Sequence, residues 1–445
     1  MKIPQEHQDK YFYHFTHIDN LDSIVENGFL STNEKERLGL SHKDVANGNI
    51  QERRSNMKVT VGPGGKVHDY VPFYFCTRNP MLLSLVLSKN IDQMFMIFFA
   101  IPIKKIVDKE VVFTDASANT ISPPNFYFDA IDLDKLNWDV ILSQKWMPNE
   151  GEKNKKMAEA LVYKSLPISD VSTIIAWNPY IKKHIKDTFL KKGVNCPNIS
   201  FEPFYGKNFF FTKFAMGRGT ETFTTGPILL RNKYDKVVEN IIKKRSTIVN
   251  FRFKNVNDLL LQIDNDFCII EELEGIYNLP TINEVHNETV SDHTLNVVNN
   301  LEEILFFIGA EEEEKDILKL SAYFHDIGKG PHKKWEKGKQ LSFPDHPVDS
   351  LEMLERILVN EIKILSDDEI KMICFLVAYH DLIGEILGKG RDKMQLFDLI
   401  ESEKEFDMLN CLNYADVLSF NNNWHTNYED SISQLKKEFL DKLKK

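Results

Sequence analysis

Seven positions in the C-terminal part of the chain have the residue types that hold a divalent metal ion: His293, the adjacent pair His325-Asp326, His346, the adjacent pair His380-Asp381, and Asp416. Imidazole and carboxylate sets bind such ions, and an adjacent His-Asp pair can reach one ion or bridge two. The run Phe324-His325-Asp326-Ile327-Gly328-Lys329 closes a strongly apolar helical segment, so polar groups stand where an apolar end is expected. Buried there, they need a partner. One ion, or two if His346 and His380 also serve, would suit phosphoester chemistry, clamping the attacking and leaving oxygens while Lys329 steadies the phosphate. The plainer reading, unrelated surface histidines and aspartates, weighs more on His346 and His380 than on His293, His325 and Asp326. His286 and His332 are read as ordinary polar residues.

A second set lies in four N-terminal pieces: YHFTHIDNL (Tyr13–Leu21), IQERR (Ile50–Arg54), HDYVPFYFCTRNPM (His68–Met81) and KMAEALVYK (Lys156–Lys164). His14 and Thr16 are two apart on an expected strand and so share a face, where they could bond sugar hydroxyls or an amide. Tyr74 could stack on a flat ring. Glu159, read at the start of an apolar helix, could stabilise an oxocarbenium-like centre. Singly, each has a plainer reading: a core histidine, a core tyrosine, a capping acid and, for Arg53 and Arg54, surface charge.

These residues need two kinds of scaffold. Up to about residue 211 short β-rich runs (71–76, 94–101, 111–113, 173–177, 208–211) alternate with helical segments such as 20–27 and 156–163, which predicts a mixed α/β, α+β-class domain. Val61-Gly-Pro-Gly-Gly65 marks its densest turn. From about residue 290 long helical periodicity takes over (294–308, 314–324, 348–360, 367–378, 406–418), predicting an all-α domain over 273–445. Residues 212–272 read as a linker or bridging subdomain. A chain of 445 residues, 42% hydrophobic and 27% charged, is expected to fold as two soluble domains.

The net charge of −11 is uneven. Residues 1–211 carry 26 Lys/Arg against 24 Asp/Glu, and 273–445 carry 19 against 34. Nucleic acid is therefore expected at the N-terminal domain or at the basic stretch 233–254. Five scattered cysteines without a CxxC pair argue against a disulfide framework and fit a reducing cytoplasm. The most apolar run, 94–103, is about half of what a bilayer span needs, and no apolar signal core opens the chain, so no membrane role is expected.

Together the four N-terminal pieces resemble the DarT family of DNA ADP-ribosyltransferases over roughly residues 10–211. The family's NAD-binding opening is similar to Tyr13–His17 followed by Asp19-Asn20-Leu21, and its Asp-Tyr-Val-Pro-Phe-Tyr-Phe signature stands at Asp69–Phe75. Its catalytic Glu, in an Ala-Glu-x-Leu-Val context, matches Glu159. Its catalytic Arg matches Arg54, with Arg53 the adjacent alternative. The resemblance implies a split antiparallel sheet core and NAD as a substrate held by His14, Thr16, Asn20 and Tyr74. It implies transfer to a base of single-stranded DNA, with His68, Tyr70 and Arg78 as strand contacts; thymine is favoured and guanine is the alternative. Some members carry His after Phe-Thr-Asp, whereas this chain reads FTDASAN at Phe113–Asn119, a departure that bears on base and sequence context.

Residues 273–420 resemble the HD superfamily of metal-dependent phosphohydrolases, with His293 as first ligand, His325-Asp326 as the name-giving pair and Asp416 as the last. EVHNETVSDHTLNVV followed by FPDHP is similar to the HD domain attached to some bacterial tRNA nucleotidyltransferases. The expected whole is a transferase, a toxin or phage-defence effector, whose HD domain regulates, reverses or complements it, with a nucleotide as a candidate ligand of the HD site. Two alternatives stand beside this. In one, the HD domain is the working nucleotide or RNA phosphohydrolase and the N-terminal half only binds nucleic acid. In the other, the HD domain binds a nucleotide or the N-terminal cleft without hydrolysis.

Overall fold

In the computed structural model, residues 2–40, 48–146, 148–214, 217–281, 288–335, 338–341, 343–419 and 428–444 are described. His286 falls outside them. The chain divides into two compact units, residues 1–86 with 91–212, and residues 87–90 with 213–445.

The first unit is built on an eight-stranded sheet. In chain order its strands are β1 (Tyr11–His17), β3 (Tyr70–Tyr74), β4 (Met96–Pro102), β5 (Val111–Thr114), β6 (Phe126–Tyr127), β7 (Glu159–Tyr163), β9 (Thr173–Ile175) and β10 (Asn198–Ser200). The short strands β2 (Phe29–Leu30) and β8 (Ser165–Leu166) form a separate pair. The spatial order is β10-β9-β4-β1-β3-β7-β5-β6, all antiparallel except β9 with β10. The fully buried run Met96–Ile101 makes β4 a central strand, and the rings of Phe12, Phe29, Phe73, Phe75, Phe98, Phe99 and Phe113 fill the core around it.

β1 pairs with β4 along its whole length, yet its described pairing to β3 is the single position Tyr13↔Tyr74. On its other side β3 stays paired with β7 from Tyr70 to Tyr74, Pro72 included, so only the β1 side is released. Residues 14–17 and 70–73 then diverge, and the sheet splits open between β1 and β3.

Three segments differ from expectation. The segment 156–163 is not a helix: the helix Glu150–Lys156 ends and Glu159–Tyr163 pairs with both β3 and β5. Ala, Glu, Leu and Met favour helix intrinsically, but two flanking strands decide the outcome. Asn208–Phe211 is not a strand; Glu202 accepts the Phe209 and Phe210 N–H groups, and Gln93 bonds both backbone groups of Phe211. Finally, 227–272 is no mere connector. The helices Pro227–Arg245 and Val256–Asn265 place Leu230, Val237, Ile241, Leu259 and Ile263 in the same core as the C-terminal helices.

Apart from the strand Arg218–Thr222, which pairs with Thr212–Lys213, the rest of the second unit is mainly helical: Val290–Leu301, Glu312–Phe324, His346–Asn360, Asp367–Tyr379 and Glu403–Ser419 are its longer described helices before residue 420. Thr289 and Ser366 start two of them with capping boxes, each side-chain oxygen accepting the N3 amide while the N3 acid returns to the cap N–H. No helix among the described residues is long and apolar enough to cross a membrane.

Candidate functional site

The split between β1 and β3 is a cleft of about 180 Å³. His14 and Thr16 from β1, Asn20, Tyr70 to Pro72 and Tyr74 from β3, and Arg54 and His68 all line it. His14 Nδ1 lies 2.9 Å from the Pro72 carbonyl. A carbonyl only accepts, so Nδ1 carries the hydrogen and Nε2 keeps its lone pair. Burial pushes the His14 pKa down to about 4, against the raising effect of that hydrogen bond, so the ring is a neutral acceptor near pH 7. Asn20 Nδ2 donates to Thr16 Oγ1 at 2.9 Å, which fixes the hydroxyl across the turn after β1. Tyr74 stacks on Phe15 with centroids 5.8 Å apart, and burial raises its pKa.

Register brings the acid to this point. Glu159 is the β7 partner of Tyr74, so both side chains leave the same face of the sheet. Glu159 therefore stands at the start of a strand rather than of a helix, with no exposed surface. Arg54, on the helix Gly48–Asn56, grips it with both ends of its fork: Nη1 to Oε1 and Nη2 to Oε2, each 3.0 Å. The loop after β5 completes the cradle, the Ala118 N–H donating to Oε1 at 2.8 Å and Ser117 Oγ at 3.4 Å. Thr114 Oγ1 accepts the Glu159 N–H. Burial alone would lower the Arg54 pKa, but the Glu159 charge outweighs it and holds the guanidinium above its ordinary value. Arg53, the neighbouring candidate, is exposed and faces away into a separate groove.

The three expected strand contacts divide. His68 reaches the cleft and bonds Gln51 Oε1 at 3.1 Å. Tyr70 lines the cleft but is 1% exposed, and its hydroxyl donates to the Gly64 carbonyl, bracing the glycine-rich turn. Arg78 is not among the cleft residues; it donates to the Gln144 carbonyl and lies over the Trp146 ring.

In the second unit His293, His325, Asp326, His346, His380 and Asp416 converge on a cavity of about 440 Å³, and Asp381 joins them. The tautomers follow from the backbone. Nδ1 of His325, His346 and His380 lies 2.7, 2.8 and 2.9 Å from the carbonyl three residues earlier. His293 Nδ1 faces Ser419 Oγ at 2.9 Å, and that hydroxyl donates to the Asp416 carbonyl. Each Nδ1 is thus protonated and each Nε2 presents a lone pair. Those lone pairs meet head-on, His293 with His325 at 3.4 Å and His346 with His380 at 3.1 Å.

The carboxylates crowd the same points. Asp326 Oδ2 is 3.3 Å from His325 Nε2, and its Oδ1 is 3.0 Å from His346 Nε2. Asp416 Oδ1 is 3.0 Å from His293 Nε2. Despite these approaches, Asp326 Oδ1 and Asp416 Oδ1 are buried with no hydrogen-bond donor aligned on them among the described residues. Acceptors packed around acceptors fit a cation. The same crowding makes His325 more basic, because the Asp326 charge outweighs the lowering effect of burial; a metal ion would take that proton's place. Asp326 divides its two oxygens between the His293–His325–Asp416 group and the His346–His380–Asp381 group, so it would be a ligand candidate for an ion at either.

Asp381, singled out in the sequence by residue type and by its adjacency to His380, stands with His346 and His380 in the second group. Its carboxyl lies well below the ordinary carboxylate range; burial opposes this, and His380, His346 and Lys89 outweigh it. Lys329 pairs with Asp326, and His332 bonds the Tyr277 carbonyl away from the cluster.

Known proteins are similar to parts of both units. A family model described as "ssDNA thymidine ADP-ribosyltransferase, DarT" matches residues 13–211, and one described as "HD domain" matches 290–418. A DNA ADP-ribosyl transferase of Thermus sp. (strain 2.9) is 34% identical over 179 residues, covering 39% of this chain and 84% of the relative. A DNA ADP-ribosyl transferase–DNA ADP-ribosyl glycohydrolase fusion protein of Thermosipho africanus is 29% identical over 199 residues, covering 45% of this chain and 49% of that one. Among solved structures, Thermus sp. 2.9 DarT in complex with ADP-ribosylated ssDNA aligns with 29% identity and a TM-score of 0.41, over 45% of this chain and 97% of that one.

Proposed function

The chain belongs to the DarT family of DNA ADP-ribosyltransferases, joined to an HD domain, and from that premise we propose that it transfers ADP-ribose from NAD to thymine in single-stranded DNA. The observation that carries this reading is the buried Arg54–Glu159 fork at the foot of the split sheet. In the reaction the bond from the ribose anomeric carbon to nicotinamide breaks and a bond to the base nitrogen forms. A base nitrogen that carries a hydrogen must lose it, and Glu159 is the carboxylate placed to receive it. Its Oε1 is already held by Arg54, Ala118 and Ser117, whereas Oε2 accepts only from Arg54 among the described residues, so Oε2 is the atom assigned to the ribose hydroxyl and the proton. Arg54 balances charge between NAD and base, and Tyr74 is the wall for the nicotinamide ring. The neutral His14 and the anchored Thr16 hydroxyl are the ribose and amide contacts. A stacked, paired base cannot reach such a cleft, which is why a single strand is the substrate.

For the HD domain, His293, His325, Asp326 and Asp416 would hold one divalent ion and His346, His380 and Asp381 a second. A metal there supplies Lewis-acid polarisation of a phosphoryl group. Lys329, paired with Asp326, is the residue placed to meet the phosphate. We assign this domain a metal-dependent phosphohydrolase role that regulates, reverses or complements the base modification, with the whole acting as a growth-arresting effector in the cytoplasm.

The test is incubation of the full chain with NAD and oligonucleotides lacking one base at a time. A mass increase of one ADP-ribosyl unit that vanishes when thymine is omitted, and vanishes in Glu159→Gln, is expected. Modification that survives thymine omission but not guanine omission would move the target to guanine. No modification of any oligonucleotide would overturn the transferase reading.

A further inference from the structure

An open groove of about 1110 Å³ lies beside the transferase cleft in the first unit, and neither His68, Tyr70 nor Arg78 lines it. Two segments serve both hollows. The helix Gly48–Asn56 turns Arg54 into the cleft and Arg53 into the groove. The loop after β5 gives the Ala118 N–H to Glu159, sets Asn119 in the cleft, and then sends Thr120 and Ile121 into the groove. The groove therefore begins next to the reacting carboxylate's cradle on one segment and next to its guanidinium partner on the other.

Its lining has the chemistry of a nucleic-acid track. Arg53, Lys58 and Lys135 face one acidic side chain, Glu52. Neither Arg53 nor Lys58 has a carboxylate partner among the described residues, and both are exposed. Lys135 is held over the Tyr127 ring at 5.2 Å and braced by Asp132, so its charge is positioned rather than loose. Ile121 is 90% exposed at the rim, an aliphatic surface that water alone would not favour and that a base face would cover. This local cationic excess stands out in a unit whose charges otherwise nearly balance, and backbone phosphates match it.

We propose that this groove binds the stretch of single-stranded DNA flanking the target base, with Lys58, Arg53 and Lys135 meeting phosphates and Ile121 packing on a neighbouring base. The inference rests on the transferase reading. It moves strand recognition from Tyr70 and Arg78 to residues on the other side of the Arg54 helix. FTDASAN, where some relatives carry His, becomes the loop that hands the strand from cleft to groove.

The test measures affinity of the full chain for labelled single-stranded oligonucleotides without NAD, across a range of salt, with the strand extended on either side of the target base. Extension on one side is expected to tighten binding. Lys58→Glu/Lys135→Glu should remove that gain, weaken binding about tenfold at low salt, and flatten the log K against log salt slope by about 0.7 for each phosphate no longer neutralised. Ile121→Ser should weaken binding by roughly fivefold with the salt slope unchanged. NAD affinity, read in parallel, should stay at the wild-type value in both variants. Wild-type DNA affinity and slope in the double variant would overturn the proposal, and so would equal losses of NAD and DNA binding, which would assign these residues to folding. Because binding is read without NAD, a wild-type protein that binds DNA but transfers nothing would count against the transferase reading alone.

Discussion

Glu159 and Arg54 form a buried pair whose removal should be felt twice, in chemistry and in stability. Glu159→Gln keeps the shape and loses the charge, so transfer should fall by about 10²–10³-fold or more, read as modified oligonucleotide per minute. Arg54→Ala strands an ionised carboxylate in a site with no exposure, and unfolding should be easier by about 3–5 kcal/mol in a urea titration. Arg54→Ala/Glu159→Gln should recover part of that loss, because the orphan charge is gone; a loss in the double variant equal to the sum of the two single losses would mean the fork contributes nothing by itself. His14 makes a pH prediction of definite sign. Its folded pKa, about 4, lies below the ordinary 6.5, so protonation favours the unfolded chain. Its contribution to stability is complete above about pH 6.5 and is lost as pH falls toward 4. His14→Asn, which keeps a donor for the Pro72 carbonyl, should lack that part of the acid limb, while wild-type NAD affinity stays level from about pH 6 to 8. Candidate residue types at this scale were legible in the sequence because chemistry restricts them. The choice between two adjacent arginines was not, since only the helix phase sends Arg54 inward and Arg53 outward.

Elements explain why some segments misled. KMAEALVYK is locally ambiguous, and its strand identity comes from β3 and β5 on either side, neighbours far away in sequence. Residues 208–211 look like a strand, but Glu202 and Gln93 satisfy their backbone groups, a side-chain solution that no periodicity announces. By contrast, the mixed α/β first half and the helical second half were legible, because long apolar periods and short β-rich runs persist over many residues. The HD motif also contains a glycine whose role appears only in three dimensions. A Cβ on Gly328 would overlap the His346 carbonyl and lie 2.5 Å from the Ser350 nitrogen. The first turn of the helix His346–Asn360 is thereby packed onto the turn after Asp326, and Ser350 Oγ ties the two together by accepting from Gly328 N–H and donating to the His325 carbonyl. Gly328→Ala changes no ligand, yet it must push His346 away from Asp326. Metal affinity should drop about 10–100-fold, as for loss of an outer-shell support, and elemental analysis of purified protein should show depleted metal with the helical circular dichroism retained. Full metal content in that variant would mean the packing yields without moving the ligand.

At the scale of the whole molecule, each unit has its own apolar core, one around the eight-stranded sheet and one among the helices, and the two reactive centres are divided between them. The charge is divided too: residues 1–211 are near balance and the acidic excess lies in 273–445. Metal linkage should therefore act on one unit. A cation that binds the folded His-Asp cluster at a concentration about 100 times its dissociation constant stabilises that unit by about 2.7 kcal/mol, because the unfolded chain has no such convergence of lone pairs. Calorimetry of the full chain should then show two transitions. Adding a chelator should lower one of them by several degrees and leave the other in place, and Asp326→Asn should reproduce the shift without chelator. Glu159, Arg54 and the cleft lie in the other unit, so transfer to a single strand should proceed in chelator at the wild-type initial rate. If the HD domain reverses the modification, modified DNA should in addition persist longer under chelation than with metal present. A transferase rate that collapsed on chelation would instead make the metal centre a condition of the first unit's activity.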